Sequence, residues 1–106
     1  VDVSYGNYII ENLNLNDCGD KALSVGEKST LKLKNILAKN SNYGIASKDS
    51  SVVEMQNAEF SSVNICLSAY KKKQEFEGGI INFKKMGCEF IKDEIKYDKH
   101  SFIKKL

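Results

Sequence analysis

The stretch TLKLKNILAKNSNYGIASKDSS, Thr30 to Ser51, decides the fold, because the chain repeats it on both sides. Moved forward by 22 residues it overlays VVEMQNAEFSSVNICLSAY, Val52 to Tyr70. Moved back by 22 it overlays YIIENLNLNDCGDKALSVGEKS, Tyr8 to Ser29. Leu23, Ile45 and Leu67 recur at this interval, and so do Ala22, Gly44 and Cys66. Leu31 matches Val53, Leu33 matches Met55, and Asn35 matches Asn57. A fixed period of this size marks a repeat architecture, in which a unit buries its apolar face only by stacking on the next.

Within a unit the pattern is strand, turn, strand, turn. Ile9, Leu13 and Leu15, then Leu31 and Leu33, then Val53 and Met55 alternate with polar residues, the period of a strand with one buried face. A polar break follows each: Asn16-Asp17 with Gly19-Asp20, Lys39 to Asn42, and Ser61-Ser62, residue types that supply turns. A short apolar strand and a second break complete the unit, which leaves no room for a helix. Stacking sets Leu23, Ile45 and Leu67 above one another at about 4.8 Å, and Ile9, Leu31 and Val53 likewise. The small column Ala22, Gly44, Cys66 suits a tight corner.

These units, from Tyr8 to about Phe90, resemble the right-handed parallel β-helix repeat of the pectate-lyase-like superfold. Asn35 and Asn57 resemble the turn asparagines that stack in such helices. The first unit departs, because its asparagine, Asn12, stands one position off; this predicts one inserted residue near Cys18-Gly19. The resemblance implies an all-β chain, a right-handed single-stranded parallel β-helix, or solenoid, of about four rungs with a 22-residue repeat. It implies no one activity, because the fold hosts lyases, hydrolases, adhesins and inert stalks.

The composition narrows the classes. The 106 residues suit one domain, and 42% hydrophobic content suffices for a core. The net charge of +2, from 16 basic against 14 acidic residues, does not suggest nucleic acid. No apolar run approaches the ~20 residues of a membrane span. Three cysteines, Cys18, Cys66 and Cys88, with His100 as the only histidine, form neither a disulfide framework nor a zinc pattern; they read as small buried hydrophobes. No metal or cofactor is implied. Val1 in place of Met suits a chain processed or cut from something longer. The reading is therefore a single β-helix domain over 1–106, the C-terminal module of a larger bacterial protein, extracellular or at the cell surface.

The period breaks after the third unit. From Val52 to the next matching start, Ile80, is 28 residues, six too many, and the excess lies in Lys71 to Gly79. In the fourth unit Cys88-Glu89-Phe90 matches Ala58-Glu59-Phe60, with a bulge at Met86-Gly87. The charged tail after Lys92 continues in short strands, with a short helix around Asp93 as the alternative. Loops carry function more often than scaffolds do. Tyr70, Lys71, Lys72, Lys73 and Phe76 are therefore the candidate ligand-binding residues, aromatics to stack on sugar rings and lysines to hold an anionic polysaccharide. Glu27 and Asp49, 22 apart, stack as exposed turn residues, and Asp17 and Asp20 form a turn. No catalytic residue is assigned: the chain has no arginine to clamp a uronate in the lyase manner, and lysine is a weaker bidentate partner. A non-catalytic module, structural or weakly carbohydrate-binding, is expected. The alternatives are a β-helix polysaccharide lyase or glycoside hydrolase, and a self-association module that pairs through its open strand edge.

Overall fold

A computed structural model describes residues 1–106 and contains strands only. β1 is Asp2–Ser4, β2 Asn7–Gly26, β3 Thr30–Lys48, β4 Val52–Tyr70, β5 Ile80–Tyr97 and β6 Phe102–Lys105. They form one parallel sheet in sequence order, wound into a β-solenoid of about five turns. The four long strands are the four expected rungs, and β1 and β6 are partial turns at the two ends. The tail after Lys92 is strand rather than helix.

Each long strand bends as it goes round. Left-handed backbone recurs at matching corners: Asp17, Asn40 and Ser62 at one, Tyr5, Lys28 and Ser50 at another. Asn and Asp adopt this conformation at low cost, whereas other non-glycine residues pay about 1 kcal/mol or more, so stacking must hold Tyr5 and Lys28 there. The three sides of a turn can be followed in β3 as Thr30–Leu33, Asn35–Lys39 and Tyr43–Lys48.

The column Leu23, Ile45, Leu67 forms as the period requires, and all three are fully buried. Leu31, Val53 and Ile81 form a second buried column. Its member in the first turn, however, is Tyr8 and not Ile9, which pairs with Lys32 and is 84% exposed. The inserted residue is responsible. The register shifts between Asn16 and Gly19, so partners before it lie 23 apart (Tyr8 to Leu31, Asn12 to Asn35) and partners after it 22 (Leu23 to Ile45). The insertion therefore lies where expected, and it carries Ile9 out of the core as well.

A second correction concerns β5. Ala58, Glu59 and Phe60 pair with Met86, Gly87 and Cys88, so Cys88-Glu89-Phe90 lies two positions beyond the expected match. The irregularity falls between Phe60 and Ile65, opposite Cys88 to Asp93, not at Met86-Gly87.

The third correction is a disulfide between Cys66 and Cys88. The two cysteines are 22 apart in sequence, yet they are not stacked. The insertion moves Cys88 beneath Phe60, on the second side, while Cys66 stands on the third side beneath Gly44. The bond thus crosses the core between β4 and β5. Size is matched across the same gap: a Cβ on Gly44 would lie 2.5 Å from the Cys66 carbonyl oxygen and 2.7 Å from the Phe60 ring. Only glycine lets the third side approach the second this closely. Cys18 remains a free thiol packed against the core.

Outward-facing polar side chains form ladders. Asn35 donates to Asn12 at 2.9 Å and Asn57 donates to Asn35 at 3.1 Å. Asn42 donates to Asp20 and Asn64 to Asn42, while Asn40 donates to Asn16. Asp17 and Asp20 are thus the turn residues expected, Asp17 with φ 55° at the bulge.

Candidate functional site

The insertion Lys71–Gly79 does not stand out from the solenoid. It folds back across the corner where earlier turns end. Asp49, expected on the surface, is fully buried there. Its Oδ1 accepts the backbone N–H of Lys72 at 2.7 Å and of Lys73 at 2.9 Å. Ser50 accepts the N–H of Glu77 through its hydroxyl, and its own N–H donates to the carbonyls of Glu77 and Gly78. The Lys71 N–H donates to Asp98 Oδ2 at 2.8 Å. The loop re-enters the sheet at Gly79, which must be glycine because a Cβ would meet the Ser47 carbonyl at 2.0 Å.

The loop side chains are engaged in the same way. Lys73 Nζ lies 3.3 Å from Glu27, which raises the lysine pKa. The Phe76 ring meets Tyr5 edge-on at 6.5 Å between centroids, and Lys28 Nζ lies 6.0 Å from the Phe76 ring centre. The insertion is a strap that touches residues of every turn from Tyr5 to Asp98. Glu27 and Asp49 share its anchorage but not one function: Glu27 pairs with a side chain and Asp49 with backbone.

Tyr70 belongs to different surroundings. It is half-buried beside a cleft of about 420 Å³ lined by Tyr43, Ser68, Lys96, Tyr97 and Asp98. Burial pushes its hydroxyl pKa up; Lys21 opposes this, and Tyr43, Asp20 and Asp49 add to it. Lys21 Nζ lies 5.6 Å from the Tyr43 ring centre and 2.6 Å from Asp20. The hydrogen bond from Lys21, helped by one from Asn42, holds the Asp20 carboxyl below its ordinary range. The five candidate residues therefore divide: Tyr70 lines this cleft, Phe76 packs on Tyr5, and Lys71, Lys72 and Lys73 lie in the strap between.

Tyr43, Lys96, Tyr97 and Asp98 were not singled out from the sequence. The available signal was that Tyr43, Tyr70 and Tyr97 are each 27 apart. From Tyr43 to Tyr70 that interval exceeds the repeat by five, which carries Tyr70 to the far end of the third side, but β4 and β5 partners lie 28 apart, so Tyr97 falls one position from Tyr70's column. A longer groove of about 660 Å³ runs beside the asparagine ladder and ends at Lys85, where the fourth turn replaces the asparagine. Compared with protein-family models, with curated proteins and with solved structures, the chain matches none.

Proposed function

We propose that the chain is a non-catalytic β-solenoid module that serves as a structural extension. The observation that carries this reading is the strap. The one segment that leaves the repeat directs its backbone donors onto buried Asp49 and partly buried Asp98, and its side chains onto Glu27 and Tyr5. A loop committed to its own scaffold ties turns together. The asparagine ladders favour the same role, because each amide is used by the amide above it. The Cys66–Cys88 bond supports an oxidising compartment, in keeping with a secreted or surface protein of the pectate-lyase-like type in a bacterium.

A second reading, weak binding of an anionic polysaccharide, is favoured by the cleft that groups Tyr43, Tyr70 and Tyr97 with Lys96. One titration distinguishes the two. Polygalacturonate is added at low salt to the chain and to a Lys71→Ser, Lys72→Ser, Lys73→Ser, Tyr43→Ala variant, followed by calorimetry and by tyrosine fluorescence. The structural reading expects no heat and no spectral change with either protein. Saturable binding to the natural chain, lost in the variant and weakened by salt, establishes the carbohydrate reading instead.

A further inference from the structure

We infer that the cleft on the outer face of the third side binds one ring-shaped sugar acid, a pyranose that carries a single carboxylate. The inference rests on the carbohydrate reading of that cleft and narrows it from a polymer to one ring, held without the strap lysines. Three observations carry it.

The first is a sunken floor. Leu23, Ile45 and Leu67 point into the core, so Ser24, Ala46 and Ser68, one position on, point outward. Outward residues of a strand normally meet water, yet these three are 7%, 0% and 4% exposed. Larger side chains therefore cover them from outside. Tyr43 at the start of the third side and Tyr70 at its far end stand diagonally across this floor. The cleft between them reaches down to Ser68.

The second is an unused hydroxyl. Ser68 is more than nine-tenths buried and lines the cleft, and its hydroxyl has no hydrogen-bond partner in the chain. The buried serines at the corner are all engaged: Ser47 and Ser51 bond each other, Ser29 bonds the Gly26 carbonyl, and Ser101 takes the Gly79 N–H. A polar group that burial withholds from bulk water needs a partner, and the cleft is where Ser68 can meet one.

The third is charge. Lys96 continues the Ser68 column into the next turn, lines the cleft and forms no ion pair. Nearby Lys21 is held by Asp20 at 2.6 Å. Asp98, the one carboxylate of the lining, turns its oxygens to the corner, where they accept the N–H groups of Lys71 and His100. The Lys96 ammonium is left to face an incoming anion.

Together these features set the ligand class. A cleft of about 420 Å³ is near the small end of ligand sites and suits one ring. The strap leaves Tyr70 and is pinned to Asp98 there, which bounds the cleft at that end against a longer chain. The two tyrosine rings offer apolar faces to the ring, while Ser68 and the phenols exchange hydrogen bonds with its hydroxyls. Lys96 supplies a point charge for its carboxylate.

Nuclear magnetic resonance of the isotope-labelled 106-residue chain at low salt tests this, with glucuronate, glucose and benzoate as probes. The expected result is saturable shifts centred on Ser68, Tyr70 and Lys96, with glucuronate bound several-fold tighter than glucose or benzoate. Lys96→Gln, at an exposed position, is expected to erase the preference for glucuronate over glucose and leave glucose binding in place. Tyr43→Ala is expected to weaken both sugars, and Lys71→Ser, Lys72→Ser, Lys73→Ser to change neither. No saturable shift with glucuronate overturns the inference. So does glucose or benzoate bound as tightly as glucuronate, or a Lys96→Gln variant that keeps the preference. Polygalacturonate bound through Lys71 to Lys73 with no response to glucuronate upholds the polysaccharide reading and overturns this one. A response to glucuronate with none to polygalacturonate does the reverse.

Discussion

Breaking the Cys66–Cys88 bond should cost the fold a large part of its stability, and the size can be worked out. The bond closes a loop with a sequence separation of 22. Loop-closure entropy for that length gives about 3 kcal/mol at 25 °C, through constraint of the unfolded chain. For a domain of this size that corresponds to a fall in Tm of roughly 10–20 °C. Reduction is a cleaner perturbation than mutation, because Cys66 is fully buried and its replacement would add a cavity cost. A Cys18→Ala background removes the one free thiol, so that no exchange scrambles the pair. Thermal melts by circular dichroism, with and without reductant, should differ by that margin, and a Cys66→Ala, Cys88→Ala variant should ignore reductant. Thiol titration of the natural chain in denaturant should count one free thiol before reduction and three after. A count of three before reduction, or melts that agree within a degree or two, would refute the cross-link and with it the placement of β5 beneath β4.

Ile45→Asp should abolish folding, because Ile45 sits in mid-column with no exposure and an unpaired buried charge costs several kcal/mol; a cooperative melt near that of the natural chain would show the register to be wrong. Asp49→Ala should release the strap, since two partly buried N–H groups lose their acceptor at about 1–3 kcal/mol. Asp49→Asn, which keeps an acceptor and tolerates the left-handed backbone there, should cost less; trypsin cleavage at Lys71 to Lys73, faster in the alanine variant than in the asparagine one, is the readout. Acid should loosen the same corner. Burial works against the Asp98 carboxylate, but hydrogen bonds from the Lys71 N–H, the Ser101 hydroxyl and the His100 N–H outweigh it and hold the carboxyl below its ordinary value. A group held lower in the folded state binds protons more readily when unfolded, so its contribution is present above about pH 4 and lost as pH falls through the folded value. Tm should therefore fall on acidification below that point, and fall less steeply in Asp98→Asn.

The rung architecture was legible because it is carried by identity at a fixed interval. Leu23, Ile45 and Leu67 need no knowledge of any other side chain to be placed in one column. What was lost was lost at breaks in the interval. One extra residue beside Cys18 is visible from Asn12, but its effect on Ile9 is not, because alternation alone makes Ile9 as good an inward residue as Tyr8. Six extra residues before Ile80 were visible too, but the fourth turn has few side chains strong enough to fix its register: Lys85 replaces the ladder asparagine, Gly87 offers nothing to match Glu59, and Cys88 faces Phe60 only by size. The disulfide was hidden by the same slip. Cysteines 22 apart look like stacked neighbours in a 22-residue repeat, and only the corrected register puts them on facing sides of the core.

The strap shows why function is harder to read here than fold. Repetition fixes contacts between equivalent positions, and a sequence displays equivalence. The strap is built from contacts between positions with no equivalents: Lys72 with Asp49, Lys73 with Glu27, Phe76 with Tyr5. Read alone, three lysines between two aromatics suggest a surface offered to an acidic polymer. Read with Asp49, whose buried carboxylate takes two backbone donors of that segment, they suggest a segment held in place, with its charge left over at the surface. The decisive residue was in plain view, one period after Glu27, and resembled an ordinary turn aspartate. Burial gave it a different role, and burial depends on the insertion that passes over it. A polar residue at the corner one turn before a break in a solenoid's period is therefore better read as an anchor for the inserted chain than as an exposed turn, and Asp49→Ala against Asp49→Asn is the comparison that tests that rule in this protein.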